Sequence, residues 1–142
     1  VKKLNWAPDI IHIHGWMASL LPLYLKEFYK EEPLFAESKI VTSLYASPFE
    51  GELNPKLIEK IHFDKINKEK ASVVAVPNHN NILKSAIQNS DAIIKVEESY
   101  PTEIEEFISK SDVTVLEYQP EDLLTESYLE FYKHDILNLQ DA

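Results

Sequence analysis

The chain has 142 residues, enough for one domain around a single core but too few for a multidomain enzyme. Its 14 basic against 24 acidic side chains leave a formal charge of -10, and no basic cluster exceeds short pairs such as Lys2-Lys3, which disfavours capture of nucleic acid or an anionic membrane. Cysteine is absent, which excludes disulfide scaffolds and thiolate metal sites; no apolar run reaches membrane-span length and no signal-like segment is present, so the expected setting is the cytoplasm.

In chain order, Val1 to Trp6 reads as the end of an incoming helix, with Lys2 and Lys3 suited to a helix carboxyl end. Asp9 to His14 is a short strand in which Ile11 and Ile13 share one face and His12 and His14 the other. Gly15 breaks it, and from Trp16 the residues Leu20, Leu21, Tyr24, Leu25 and Phe28 recur at helical spacing, with Pro22 predicting a kink or a late start. Ser38 to Tyr45 is the second strand, followed by a loop, Ala46 to Leu53, that carries Gly51. Asn54-Pro55 predicts an N-cap and first helical position ahead of Leu57, Ile58 and Ile61. Asp64 to Ala71 reads as an exposed connection or a short helix, and Val73 to Val76 as an extended link before Pro77. A helix follows through Ile82, Leu83, Ala86 and Ile87, capped by Asn78 or Asn80. Asp91 to Val96 is a strand, Pro101 to Ser109 a helix burying Ile104, Phe107 and Ile108, and Val113 to Tyr118 the last strand. Pro120 opens a final amphipathic helix through Leu124, Tyr128, Phe131, Tyr132 and Leu137.

Strands alternating with helices predict an α/β domain over residues 1–142, a Rossmann-like three-layer sandwich with a parallel sheet of about four strands. Ligands of such sheets bind at the carboxyl ends of the strands, where His12 and His14 fall. The two glycines, Gly15 and Gly51, cannot build a glycine-rich phosphate turn, and no serine sits in a glycine-flanked nucleophile elbow.

The run Pro8-Asp9-Ile10-Ile11-His12-Ile13-His14, then Trp16, then Pro22-Leu23-Tyr24-Leu25, resembles the bacterial glycogen and starch synthases, whose pattern is Pro-Asp, two apolar residues, His-x-His-Asp-Trp-His and a helix with Pro-Leu-Tyr-Leu. The resemblance implies a GT-B glycosyltransferase, of which this chain would form the second half of the amino-terminal domain and so a fragment of a longer protein. It implies transfer of glucose from a nucleotide donor such as ADP-glucose to an α-1,4-glucan, with no other cofactor. The sequence also departs from that family. Gly15 and Met17 stand where the family has Asp and His, and Leu44 replaces a sugar-contacting His in Lys39-Ile40-Val41-Thr42-Ser43-Leu44-Tyr45. The family's Lys-x-Gly-Gly-Leu donor loop does not occur in these residues.

The candidate substrate-binding set is therefore His12, His14, Gly15, Trp16 and Glu50, with no catalytic residue and no metal site assigned. Each has a plainer reading. His12 and His14 lack an evident third ligand for a metal and fit hydrogen-bonded edge residues; Trp16 fits a core position as well as a sugar platform; Glu50 is supported only by its place on the ligand edge. The carboxylates Glu97, Glu98, Glu103, Glu105 and Glu106 fit helix-start charge better than paired acid and base. Two functions remain: a glucosyltransferase domain that lines the acceptor side of a cleft and is inactive without the rest of its parent chain, or a non-catalytic glucan-binding or protein-interaction module of the same ancestry. Expected partners are an α-glucan, the rest of the parent chain and, through an uncovered sheet edge, a second copy.

Overall fold

The computed structural model describes residues 2–4 and 6–139. Its four short β-branched and apolar runs form β1 (Ile10–His14), β2 (Lys39–Leu44), β3 (Ala92–Lys95) and β4 (Thr114–Leu116), paired in parallel in the order β1-β2-β3-β4. His12 lies beside Val41 and His14 beside Ser43, while Leu44 registers with Lys95. The fold is α/β, as the alternation of strands and helices predicts.

Among the described residues five α-helices connect and cover the strands: α1 (Leu21–Glu27), α2 (Leu57–Phe63), α3 (His79–Asn89), α4 (Thr102–Ser109) and α5 (Leu124–Glu130). Gly15 ends β1 at φ 74°, in the left-handed region that glycine enters without steric cost, and a 3-10 turn over Trp16–Ala18 follows. The helix starts late because Pro22, which has no N–H to give, belongs in its first turn. Asn78 caps α3 by accepting from the backbone N–H of Asn81 at 2.9 Å.

Five local expectations are corrected. The chain start is a 3-10 turn at Lys2–Leu4, while Val1 and Asn5 lie outside the described residues. Asn54 does not cap α2; its side chain accepts from Lys56 N–H to close a turn, and the helix begins at Leu57. Within 64–71, Ile66 and Ala71 are buried against Leu23 and Ile61, so the connection is anchored by its apolar residues. The valine run is a 3-10 turn, Ser72–Val74, because burying Val74 in that same cluster decides a segment too short for strand propensity to govern. The final helix begins at Leu124, after a turn, and passes into a π-helical segment over Phe131–Ile136.

Sequential strand order and right-handed crossovers place the connecting helices on one face of the sheet. There Ile13 and Ile40 pack with Leu25 of α1, and Leu44 and Ile93 pack with Leu83, Ile87, Ile104 and Ile108 of α3 and α4. Strand alternation sends Val41, Ala92 and Ile94 to the other face, where Phe131 and Ile136 of the final helix cover them. His12, which neighbours Val41, therefore lies under that last helix.

Candidate functional site at the carboxyl edge of the sheet

The site grows from the second half of β1. His12 faces the final helix and has partners on both ring nitrogens: Nε2 lies 2.8 Å from Ser43 Oγ, and Nδ1 lies 2.5 Å from the Tyr132 hydroxyl. The Tyr132 ring meets the imidazole edge-on at 5.8 Å, and the His14 ring lies 4.0 Å away on the same face. Burial, followed by the neighbouring His14, lowers the His12 pKa from 6.5 to about 4, so it is neutral at pH 7. Tyr128, one helical turn before Tyr132, brings its ring to 6.2 Å from the His12 imidazole, beside the polar set that Tyr132, His12 and Ser43 form between the helix, β1 and β2. Burial raises the Tyr132 pKa to about 12, with the Tyr128 charge adding to the shift, so both ends of its hydrogen bond are neutral.

A second network fixes the strand ends. The buried Tyr100 hydroxyl donates to the Leu44 carbonyl at 2.7 Å and accepts from the N–H groups of Val96 and Glu97, tying β2 to the end of β3. Burial takes the Tyr100 pKa up to about 12. Glu97 accepts from the Ala46 N–H at 2.9 Å, pinning the loop after β2. Lys95, buried at the end of β3, pairs with Glu105 of α4 at 2.7 Å and Glu117 at 3.0 Å. Burial acts to lower its pKa, but those two carboxylates outweigh it and the net shift is upward.

Above these networks an open cleft of about 410 Å³ is lined by His14, Tyr45, Lys95, Tyr118, Gln119 and Tyr128, among others. It joins the carboxyl ends of β1, β2 and β3 to the segment after β4. With its only lysine held by two carboxylates and Glu121 on its rim, it repels anions and presents tyrosine rings, hydroxyls and an amide.

The residues singled out in the sequence divide. His12 and His14 meet at this edge, the first half-buried with both ring nitrogens taken and the second exposed in the cleft. Gly15 turns the chain away, and a Cβ there would meet open space but a strained φ. Trp16 leaves the edge: its ring packs on Phe49 at 4.6 Å, between the two clusters built around Leu83 and Leu23. Glu50 is exposed on the loop and does not line the cleft. Among the other carboxylates, Glu103 pairs with Lys84 and Glu106 with Lys110, as helix surface charges do. Among the described residues no group of three or more His, Asp or Glu side chains is arranged to hold a metal ion.

The family model described as the starch synthase catalytic domain matches residues 1–116. The chain belongs to the starch synthase catalytic domain family. Among curated relatives, it is 32% identical over 127 residues to the glycogen synthase of Thermotoga maritima, covering 87% of this chain and 25% of that protein. It is 28% identical over 104 residues to the glycogen synthase of Clostridium perfringens, covering 73% of this chain and 22% of the relative. The match to the glycogen synthase of Photobacterium profundum is 32% over 110 residues, 72% of this chain and 20% of the relative. The chain thus spans a quarter or less of the length of these relatives. The parallel sheet flanked by helices agrees with the GT-B glycosyltransferase fold of this family.

Sequence reasoning missed Tyr100, Ser43, Tyr118 and the Tyr128–Tyr132 pair as parts of this edge. Tyr128 and Tyr132 carried a signal in their i, i+4 spacing, which shows a shared helix face but not that the face lies over a histidine. Tyr100 carried none, since one aromatic before a proline has no period.

Proposed function

We propose that this chain is the acceptor-side part of a glycogen-synthase-type glucosyltransferase and transfers no glucose by itself. The observation that supports it is the state of the motif positions at the ligand edge. Leu44 is fully buried among Leu83, Ile87 and Ile93, Gly15 holds a left-handed φ, and His12 has both nitrogens occupied within the protein. A polar contact that acts in the transition state is commonly worth about a hundredfold or more in rate, and two such positions here carry no polar side chain. What remains at the edge is a neutral-to-acidic cleft with exposed tyrosines, which suits a hydroxyl-rich saccharide better than a nucleotide diphosphate. The donor, ADP-glucose or a related nucleotide sugar, belongs in this reading to the part of the relatives that this chain does not span. A cytoplasmic setting fits the same reading, and no helix among the described residues is long and apolar enough to cross a membrane.

Calorimetric titration of the chain with maltoheptaose and with ADP-glucose tests the reading. Saccharide binding that is weakened by Tyr118→Ala and untouched by ADP-glucose is expected; tight ADP-glucose binding would contradict it. The double change Gly15→Asp and Leu44→His should not create transfer activity, because it strains the turn and puts an imidazole in the core. Turnover recovered in that variant would overturn the assignment.

A further inference from the structure

The polypeptide that covers His12 lies beyond the family-model match, although the alignment to the Thermotoga maritima relative, over 87% of this chain, runs past that point. The family-model match ends at residue 116, and the final helix, Leu124–Ile136, follows it and returns across the sheet. Its hold on the sheet is narrow. None of the seven residues of α5 is buried, and Leu123, Leu124 and Leu129 point large apolar side chains to solvent. The buried anchors, Phe131 and Ile136, both fall in the π-helical segment along with Tyr132, while Tyr128 and Leu137 on either side pack only partly buried against the same patch. A π-helical turn is an uncommon, locally costly geometry that occurs disproportionately at functional positions. Here it sets Tyr132 against His12 while Phe131 and Ile136 stay on the apolar patch of Val41, Ala92 and Ile94.

The polar arithmetic at His12 gives this contact its consequence. A neutral imidazole has one donor and one acceptor, and both are taken, by Ser43 and Tyr132. No ligand can hydrogen-bond His12 without first displacing Tyr132 or Ser43. Ser43 is fixed in β2 and buried; Tyr132 is half-buried on the π-helical segment of the final helix. We propose that the segment from Leu124 to Ile136 is an autoinhibitory strap, which seals the first histidine of the sheet edge and releases it to a saccharide ligand by local opening of the final helix. This rests on the reading that the carboxyl edge is the ligand edge. Local opening of a weakly anchored element costs less than global unfolding, so both states are accessible without loss of the core.

Histidine modification by diethylpyrocarbonate, mapped by peptide mass analysis on the whole chain, separates the two states. His79 is the internal reference, since it is buried on the opposite side of the molecule's core at the start of α3 and packs edge-on against Phe49 at 5.4 Å. In the unaltered chain His14 should react fast, and His12 and His79 slowly. In Tyr132→Phe combined with Phe131→Ala, His12 should react about tenfold faster or more, as expected for loss of a hydrogen bond and an apolar anchor, while His79 stays protected. His12 as slow as before in that variant, or as fast as His14 in the unaltered chain, overturns the strap. Should the variant unfold, His79 reacts as well; the unaltered chain in rising, sub-denaturing urea then decides. His12 reacting at lower urea than His79 supports the strap, and simultaneous reaction overturns it. Maltoheptaose titration of the same proteins tests the ligand. Tighter binding in the opened variant supports autoinhibition, and equal binding in both overturns it. No binding by either, with His12 uncovered, overturns the saccharide reading and leaves the strap standing.

Discussion

The two faces of one sheet are built by opposite means. On the first, three helices cover strand side chains that are nearly all aliphatic, and Leu44, Leu83, Ile93 and Ile104 lie almost wholly out of solvent. On the second, one helix that loosens into a π-helical segment covers a mixed set in which Val41 and Ile94 stand beside His12 and Ser43. The same alternation of residues produces both, since each strand sends every second side chain to each face. The difference separates apolar packing from polar grouping: the helical face carries the aliphatic core, and the face under the final helix carries His12, Ser43 and Tyr132, on which the proposed ligand site rests.

The sharpest way to break that comparison is to cut one anchor from each face. Ile93→Ala should lower global stability by about 2–5 kcal/mol in urea unfolding, as cavity-forming changes in a close-packed core do. Phe131→Ala removes a larger side chain but should cost less, because the final helix can detach and cap the loss at its own opening free energy. Equal losses at the two positions would remove the distinction. Next in size, Tyr100→Phe leaves the buried Leu44 carbonyl and two N–H groups without their shared hydroxyl, and should cost about 1–3 kcal/mol in the same assay.

Acid sharpens the comparison from the polar side. His12 has a folded pKa of about 4 against an ordinary 6.5, and burial lowers that of His79 as well. Below 6.5 the unfolded chain binds protons that the folded chain refuses, so stability contributed by the neutral histidines falls as pH drops from 6.5 toward 4. The groups facing His12 are His14 on its own strand, Ser43 on β2 and Tyr128 and Tyr132 on the final helix. Thermal melts between pH 7 and 4 should therefore show a decline that is shallower in His12→Gln. An identical slope in the variant would mean that His12 is not held neutral. At the small end, Glu50→Gln should leave stability within about 0.5 kcal/mol, as exposed substitutions without partners generally do.

Much of the frame could be read before any coordinates. Alternation identified β1 and the face that His12 and His14 share; Pro22 pointed to a kink or a late start, which is the late start of α1, and of the two cap candidates Asn78 and Asn80 it is Asn78 that caps α3. These are signals that act within a few residues. Trp16 and the run from Val73 to Val76 were less legible because their state depends on distant partners: Phe49 beside the indole, and the cluster of Leu23, Ile61 and Ile82 that buries Val74. The motif positions at Gly15 and Leu44 were visible as departures, but whether each side chain faced a ligand or the core depended on packing against α3 and α4. The cleft itself was hidden for the same reason, since Tyr45, Tyr118 and Tyr128 are far apart in sequence and meet only across the sheet edge.

The most direct test of the account is glucose transfer by the chain alone. Incubated with ADP-glucose and maltoheptaose, it should release ADP at the rate of a protein-free control, because two motif positions at the edge, Gly15 and Leu44, carry no polar side chain to act on a donor. ADP release above that control, lost on His12→Ala, would show a working donor site at the carboxyl edge and contradict the account.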